Sequence, residues 1–492
     1  MPDRTADPNH ARRWAILGVI GIAQLMVVLD ATIVNIALPS AQQDLGFSND
    51  DRQWIITAYA LAFGSLLLLG GRIGDLFGRK WAFVVGLIGF AIASALGGAA
   101  QSFGVLVAAR ALQGVFGALL APAALSLLSV TFTDPSERGK AFGIFGAIAG
   151  GGAAIGLLLG GILTETLSWR WCLYVNLLFA LPAAAAAVVM IKQVPREGKP
   201  QLDIPGTIAA CAGLFLLVFG FAKAETEGWS AGITLGSLAV GVLLIVVFVT
   251  LQTRVKHPLL PLRVVLDRNR GGAYLAVGLS GAGMFGVFLF LTFYLQQTLD
   301  MTPIQTGLAF LPMTAAIMTT ATLGNTKLVP RFGPKPLIAL GMTFAAIALA
   351  LLAQLEVDSS YAGHVLPSLI LMGVGMGLIF APSFASATSG VARHDAGVAS
   401  AMVNTAQQVG GSIGTAFLST MANTAAVDFA QSQGQRARSP EVAAQAAVEG
   451  YTTAFWWSAG IFLVGAIVCG LILRPGADEF NEAGDAAPVA AH

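Results

Sequence analysis

The stretch VVLDATIVNIALP, residues 27–39, places a single carboxylic acid, Asp30, inside a long apolar run that begins at Trp14. The run has the length of a membrane-spanning helix, which needs roughly 20 residues to cross about 30 Å of hydrocarbon. An ionised side chain at the centre of a bilayer costs on the order of 3 kcal/mol on insertion scales. We therefore expect Asp30 to face a polar cavity or a basic partner rather than lipid.

Apolar runs of this kind recur along the whole chain. Of its 492 residues, 56% are hydrophobic and 11% are charged, and the mean hydropathy is +0.75, which is far more apolar than a soluble protein. Fourteen runs are long enough to span a membrane: six within 14–191, two within 205–251 and six within 271–474. The runs are continuous rather than alternating, which predicts helices and not a β-barrel. The predicted fold class is an all-α membrane protein with 14 transmembrane helices.

Basic residues predict the orientation of these helices. With fourteen spans, 21 Lys and Arg residues flank the membrane on the side of the termini and 5 on the other side, while Arg110 lies inside a span. Because basic loops stay in the cytoplasm, we expect a multi-pass protein of the cytoplasmic (inner) membrane with both termini cytoplasmic. The predicted cytoplasmic segments are the tails 1–13 and 475–492 and the linkers 192–204 and 252–270. An external loop is predicted at about 423–452, with a short helix in SPEVAAQAAVEGY, 439–451.

Several other classes of function lack their sequence signatures. The basic residues are dispersed, which argues against nucleic acid as a partner. The three cysteines lie inside apolar runs without metal-site spacing, and the five histidines lie in loops, tails or span ends. No GXXXXGK[ST] phosphate-binding loop occurs, which argues against an ATP-driven pump. We expect no enzyme activity, no cofactor and no metal; the expected partners are the lipid bilayer, a small-molecule substrate and protons.

A weak internal repeat divides the chain. GRIGDLFGRK, 71–80, and TKLVPRFGPK, 326–335, align without gaps and share a Phe-Gly pair and a final lysine. Each follows the second helix of a six-helix group if the two helices at 205–251 are an inserted pair. The repeat predicts two six-helix halves, 14–191 and 271–474. Transporters built from such repeats bind substrate between the halves, near the bilayer midplane.

Six stretches carry distinctive motifs: LDATIVNIALP (29–39), GRIGDLFGRK (71–80), RALQG (110–114), WRWCLYVN (169–176), LDIPG (202–206) and YLQQTLDMTPIQTGLAFLP (294–312). In this order they resemble signatures of the major facilitator superfamily, specifically its fourteen-helix drug:proton antiporter branch. The resemblance covers essentially the whole chain. It implies the major facilitator fold, and multidrug efflux with antibiotic resistance, driven by the proton motive force.

The fifth span departs from that branch. GLLLGG, 156–161, has Leu157 where the family usually carries a proline. Four glycines still predict a smooth face on which another helix can pack closely: Gly152, Gly156, Gly160 and Gly161. The bend that a proline would impose is left open by the sequence.

Asp30 and Arg110 are the two charges deep in the predicted spans. They lie about 9 and 6 residues from the outer ends of helices 1 and 4, roughly 13 and 9 Å along the helix axes, and therefore at similar depth. One interpretation is a static ion pair that joins the two helices. The other, which we favour, is proton coupling: burial favours protonated Asp30, and the approach of Arg110 or a cationic substrate favours the ionised form.

Uncharged polar and aromatic residues within the spans are candidates for a substrate cavity. Gln113 is the best supported, because it lies three residues beyond Arg110 on the same helix face. For each aromatic residue, packing in the core or against lipid is the alternative. The candidates for substrate binding are Asn35, Tyr59, Gln113, Asn176, Phe285, Phe288, Tyr294, Asn404 and Gln407.

The loop after the second span contains a further acid, Asp75, which can meet a helix N-terminus or a basic side chain of a neighbouring helix. The family resemblance implies that the loop latches the outward-open form; its residues are Gly71, Asp75, Gly78, Arg79 and Lys80. The alternative is that Arg79 and Lys80 only set the topology. Asp203, before the seventh span, is expected to be an N-cap followed by Pro205.

These observations together predict a secondary active exporter of small amphipathic or monovalent cationic compounds (drugs, dyes or antibiotics). It would exchange them for protons by alternating access and act as a monomer. The spans at 271–296, 305–326, 364–388 and 396–422 contain no Asp or Glu, so we expect divalent cations to be handled poorly. The alternatives are a proton-coupled importer of a metabolite, and a lipid-handling or sensory membrane protein on the same scaffold.

Overall fold

The computed structural model describes residues 10–192, 202–434 and 439–474, and the secondary structure in these ranges is helical throughout. The α-helices are α1 Arg13–Leu45, α2 Asn49–Phe77, α3 Arg79–Gly98, α4 Phe103–Thr131, α5 Pro135–Thr166, α6 Trp171–Met190, α7 Ile204–Glu227, α8 Gly232–Gln252, α9 Leu262–Val265, α10 Arg268–Gly286, α11 Pro303–Ala309, α12 Leu311–Leu323, α13 Val329–Phe332, α14 Pro334–Leu352, α15 Leu366–Ala387, α16 Ala396–Ser432 and α17 Pro440–Ile472. Four π-helical turns extend them at Val287–Leu291, Tyr294–Thr298, Gly324–Leu328 and Tyr361–Val365.

The predicted all-α membrane fold is confirmed. Within the described ranges, 12 helical spans are long and apolar enough to cross a membrane, and α5 makes a thirteenth when its two bent parts count as one span. The remaining predicted span, 396–422, is helical but less apolar, because α16 mixes small and polar residues. Its first turns, Ala396 to Ala401, are buried, so they pack on protein instead of lipid and need no long apolar side chains.

Large apolar side chains cover the outside of the bundle. Val189 and Leu471 are 72% and 71% exposed, and α8 presents a row of exposed valines and leucines. Such a surface would be costly in water and is expected against lipid. The interior is built instead from small residues, which let the helix backbones approach closely.

Helix α5 shows how the small residues are used. Gly152, Gly156 and Gly160 face α1, where a Cβ atom on Gly160 would lie 3.0 Å from a side-chain carbon of Ile33. On another face, a Cβ atom on Gly146 would lie 2.8 Å from the Cβ atom of Ala381 in α15. Glycines on both faces thus allow α5 to lie between α1 and the C-terminal helices.

The helix also bends by 46° between its two parts, Ser136–Gly152 and Ile155–Thr166. Leu157 is a buried residue of the second part. The bend follows the run of glycines 150–152, whose lack of side chains leaves the backbone free to deform. A bend is therefore present without a proline at position 157.

Helices α7 and α8 form a hairpin that packs through α7 on both α2 and α16. The predicted N-cap is confirmed: the Asp203 carboxylate accepts a hydrogen bond from the Gly206 N–H at 2.9 Å, and a proline follows in the first turn. Gln252 of α8 donates to the same carboxylate at 2.7 Å. The turn between the helices is tied to α16 by a 2.9 Å hydrogen bond from Trp229 to Thr420.

The predicted external loop is largely helical. Helix α16 continues to Ser432, and α17 begins at Pro440 with the Ser439 hydroxyl as its N-cap, 3.3 Å from the Val442 N–H. The helix predicted at 439–451 is thus the start of the last span. Its alanines favour a continuous helix, and Gly450 packs against the Ala422 carbonyl.

We predict that Gly114→Ala destabilises the protein by about 1–3 kcal/mol, the usual range for overpacking a close contact. A Cβ atom at Gly114 would lie 2.5 Å from the Tyr59 carbonyl oxygen and 2.9 Å from the Phe63 nitrogen of α2, so the α2 backbone must shift. The melting temperature in detergent measures the effect. Gly18→Ala is the matched control, because nothing lies within 4 Å of its Cβ position on the exposed face of α1. Equal melting temperatures of the two variants would contradict the prediction.

Candidate functional site

Asp30 lies at a junction of four helices. Its side chain is fully buried on α1, and Arg110, only 2% exposed, reaches it from α4. Arg110 Nη1 donates to Asp30 Oδ2 at 2.6 Å. Gln113 joins from α4, Asn176 from α6 and Ser94 from α3, and all three are buried. The structure thus brings four of the predicted residues together.

The second carboxylate oxygen of Asp30 is held by two amides. Oδ1 accepts from Gln113 Nε2 at 2.9 Å and from Asn176 Nδ2 at 2.7 Å. Both amides also donate to Ser94 Oγ, at 2.7 and 3.3 Å. Every described hydrogen-bond partner of Asp30 is a donor, which is the arrangement that stabilises an ionised carboxylate.

Arg110 has further partners besides the acid. Its Nη1 donates to Gln113 Oε1 at 2.8 Å and its Nε donates to the Ile55 carbonyl at 3.3 Å. The guanidinium also lies over the ring of Tyr59, 4.5 Å from the centroid, a favourable cation–π geometry. Tyr59 is stacked on Phe63 at 5.5 Å. Another predicted cavity residue, Tyr59, therefore lies at this site.

The cluster has no net charge when Asp30 and Arg110 are both ionised, and a proton on Asp30 would give it a charge of plus one. Asp30 and Arg110 cancel as long as both are ionised, and a proton on Asp30 would leave the guanidinium as an uncompensated buried charge. Such a change is energetically large in a low-dielectric interior. Loss of the charge on either partner would therefore destabilise the packing of the helices around the pair.

The predicted aromatic candidates on the C-terminal helices lie elsewhere. Phe288 is half-buried in a π-helical turn, with its ring 5.6 Å from that of Phe310. Tyr294 is fully buried in the next π-helical turn, and its hydroxyl donates to the Glu356 carbonyl at 2.7 Å. π-Helical turns are frequent at functional sites, but the Tyr294 hydroxyl is already bonded to a loop. The side chain of Phe285 is outside the described part of the chain.

The polar candidates of α16 are half-buried. Asn404 donates to the carbonyl of Ser400 one turn earlier, at 3.0 Å, and Gln407 lies where α16 packs on Gly281 of α10. They lie on a different helix from the Asp30 cluster and have different partners. Asn35 belongs to α1, but its side chain is also outside the described part.

Asp75 lies at the end of α2 on the N-terminus of α16. Its Oδ1 accepts from the Gly397 N–H at 2.9 Å and from Arg79 Nη2 at 2.8 Å, and its Oδ2 accepts from the Val398 N–H at 3.1 Å. A carboxylate here satisfies free N–H groups and interacts favourably with the helix dipole. Gly71 allows the approach, because a Cβ atom there would lie 2.5 Å from the Gly397 carbonyl oxygen.

The other two residues of the predicted latch have different surroundings. Gly78, with a φ of 105°, forms the sharp turn before α3. Lys80 donates to the Val188 carbonyl of α6 at 2.7 Å, so its ammonium group contacts its own group of helices and not α16.

The sequence reasoning missed two residues of these sites. Ser94 gave no signal, since one hydroxyl in an apolar helix is unremarkable. Asp395 directly precedes α16, a position where acids are common; it is buried, accepts from Arg263 at 2.6 Å and lies 3.8 Å from Arg72. It adds an ion-pair cluster beside Asp75.

A second contact between N-terminal and C-terminal helices lies on the same face of the molecule as Asp75. We call this the basic face; it carries the loops around 72–80, 131–140, 253–270, 327–335 and 388–395. At the start of α5, Arg138 donates to Thr388 at 3.1 Å, and a Cβ atom on Gly139 would lie 2.7 Å from the Asn325 carbonyl oxygen. N-terminal and C-terminal helices therefore meet twice here: α2 contacts α16, and the start of α5 contacts both the end of α15 and the π-helical turn after α12.

Residues 20–415 match the profile of the Major Facilitator Superfamily. The chain is 49% identical to the puromycin resistance protein of Streptomyces alboniger, over 96% of this chain and 94% of that one. It is 37% identical to the cephamycin export protein of Amycolatopsis lactamdurans, over 85% and 86%. The crystal structure of a human organic anion transporter (TETRAN) has a TM-score of 0.63 at 14% identity, covering 93% and 99%, which supports the fold alone.

We predict that Asp75→Asn opens the basic face. The substitution removes about 1–2 kcal/mol of ion-pair and helix-terminus energy, which shifts the closed-to-open equilibrium roughly 5- to 30-fold. Positions 77 and 332 are both exposed on this face. The distance between spin labels at these positions, measured by pulsed electron paramagnetic resonance, should be longer in the variant than in the parent. The measurement uses a variant with the three native cysteines replaced by alanine.

Lys80→Gln is the matched control for this experiment. It also removes a charge from the same loop, but its partner is the Val188 carbonyl of α6, so the distance should stay as in the parent. A parent-like distance distribution for Asp75→Asn would show that this carboxylate does not hold the face closed.

Proposed function

The chain belongs to the drug-efflux branch of the major facilitator superfamily, and from this premise we propose that it exports small amphipathic or monovalent cationic compounds in exchange for protons. The observation that carries the proposal is the fully buried Asp30, ion-paired with Arg110 at 2.6 Å within a cluster of neutral donors. An acid so placed can bind a proton only at the expense of its basic partner.

The names of the relatives support the substrate class. One is a puromycin resistance protein and another a cephamycin export protein, and both names refer to antibiotics. We extend this to the present chain as export of antibiotics, drugs or dyes of similar size. Tyr59 and the other aromatic candidates would supply flat apolar surface, and the amides would supply hydrogen bonds.

Coupling would arise from competition at one carboxylate. A proton on Asp30 raises the charge of the cluster from zero to plus one, whereas a cationic substrate near Asp30 favours its ionised form. Arg110 can leave the acid without losing all its partners, since Gln113, the Ile55 carbonyl and the Tyr59 ring also hold it. Proton and substrate would therefore occupy the site alternately.

Alternating access would proceed between the halves 14–191 and 271–474, with 205–251 as an inserted pair. We place the protein in the cytoplasmic (inner) membrane, with the basic face and both termini on the cytoplasmic side. The monomer would be the functional unit. The contacts of Asp75 on α16 and of Arg138 on Thr388 support an outward-facing assignment for this structure. They must separate before substrate enters from the cytoplasm.

We predict that Asp30→Asn abolishes substrate accumulation driven by a pH gradient. Asparagine keeps the size of the side chain but cannot exchange a proton, so no coupling remains. Everted membrane vesicles that are acidified inside should accumulate radiolabelled puromycin when they contain the native protein. Vesicles that contain the variant should accumulate no more than vesicles without the protein. Accumulation of puromycin also distinguishes an exporter from an importer, which would release it under the same gradient.

Asp428→Asn is the control, because Asp428 is exposed near the outer end of α16 and should leave accumulation at the native level. Elution of Asp30→Asn as a single symmetric peak in size-exclusion chromatography would establish that its fold is intact. Accumulation that persists in the folded Asp30→Asn variant would rule out the role of the acid.

We also predict a charge limit on the substrate. The C-terminal spans of the proposed cavity contain no Asp or Glu, so a second cationic group would have no acid to pair with, at a cost on the order of 3 kcal/mol in the membrane interior. Two amphipathic amidinium compounds that differ only in having one or two cationic groups should differ at least about tenfold in initial rate. Equal rates in the same vesicles would contradict the proposed site.

A further inference from the structure

One polar atom of the Asp30 cluster has no hydrogen-bond partner among the described residues. Asn176 is fully buried, and its Nδ2 donates to Asp30 Oδ1 and Ser94 Oγ, yet its carbonyl oxygen, Oδ1, accepts no hydrogen bond. A buried acceptor left unpaired is energetically unfavourable. Gln113 differs, because its Oε1 accepts from Arg110. The free oxygen is thus specific to Asn176.

The hydrogen bonds suit ionised Asp30 but not the neutral acid. A proton taken up from water would join Oδ1, because Oδ2 is the oxygen paired with the Arg110 guanidinium when the proton arrives. The new O–H group then needs an acceptor, while both amide neighbours of Oδ1 present N–H groups to it.

None of the other charged or titratable groups described around the acid is placed to accept its proton. Arg110 on α4 has only donors. The Tyr59 ring on α2 lies over the Arg110 guanidinium, and the Tyr59 hydroxyl is not among the described hydrogen-bond partners of Asp30. Cys172, one turn before Asn176 on α6, contacts Thr164 and Gly160 instead. Helices α3 and α5 carry no charged residue at this depth.

We propose that Asn176 is a positioning residue whose side-chain amide turns over when Asp30 is protonated. Its Oδ1 then takes the place of Nδ2, where it accepts one hydrogen bond from the protonated carboxyl group of Asp30 and another from the hydroxyl group of Ser94. The inference rests on the proposed function, in which Asp30 is the proton site.

The turn costs no hydrogen bond. Before it, one amide atom of Asn176 is unpaired, the oxygen; after it, the nitrogen occupies the same unpaired place. Gln113 cannot do the same, because turning its amide would point N–H groups at the Arg110 guanidinium. A side chain with a donor and an acceptor at interchangeable positions can serve both protonation states, which gives a physical reason for asparagine at the end of WRWCLYVN.

Infrared difference spectroscopy on acidification of the full-length protein in lipid tests the proposal. We expect a protonated-carboxyl stretch that is absent from Asp30→Asn, together with a change in the amide carbonyl band that shifts on labelling with carbon-13 asparagine. Asn176→Ala should move the carboxyl band to higher wavenumber, because the acid loses its acceptor, and should abolish the labelled band. Asn423→Ala, at an exposed site on α16, should change neither.

The outcomes separate the two proposals. A carboxyl band at the native position in Asn176→Ala, with no asparagine band in the native spectrum, would overturn the turning amide and leave Asp30 as the proton site. If no carboxyl band depends on Asp30, both proposals fail. The labelled spectrum of the native protein decides the question even if Asn176→Ala does not fold.

Discussion

A carboxylate taken out of water must be given donors by the protein, and the N-terminal helices are arranged around that requirement. Asp30 receives hydrogen bonds from Arg110, Gln113 and Asn176, and Ser94 joins the two amides. These side chains come from α1, α3, α4 and α6, so satisfying one acid fixes the relative positions of four helices. Removing any single donor would leave a buried charge poorly compensated.

Helix α2 connects the surroundings of the buried acid with the basic face. Helix α2 supports Arg110 through Tyr59 and the Ile55 carbonyl, and about 24 Å further along the same helix it places Asp75 on the N-terminus of α16. One rigid element thus joins the buried acid to the contact that closes the face. A shift of α2 would therefore change both contacts.

The sequence predicted much of this, and its errors have physical causes. Two charges at similar depth indicated the meeting of Asp30 and Arg110, and Gln113 followed from helical spacing. Ser94 and Asp395 were missed because a partner contributed by a distant helix leaves no local pattern. The bend in α5 was left open because the expected signal was a proline, whereas a run of glycines accompanies it. The predicted external loop became helix because α16 and α17 support each other through Gly450.

The sequence by itself determined which segments must be surrounded by lipid or protein and which can lie in water. Apolar runs of spanning length need lipid or protein around them, and a backbone in that environment must be helical to satisfy its own hydrogen bonds. Only the tertiary structure decided which polar groups meet: that Asn176 faces Asp30 with its nitrogen and leaves its oxygen free, that Asp75 reaches α16, and that Lys80 does not. These contacts join residues tens to hundreds of positions apart, and they depend on how closely two backbones approach, a property that no single helix contains.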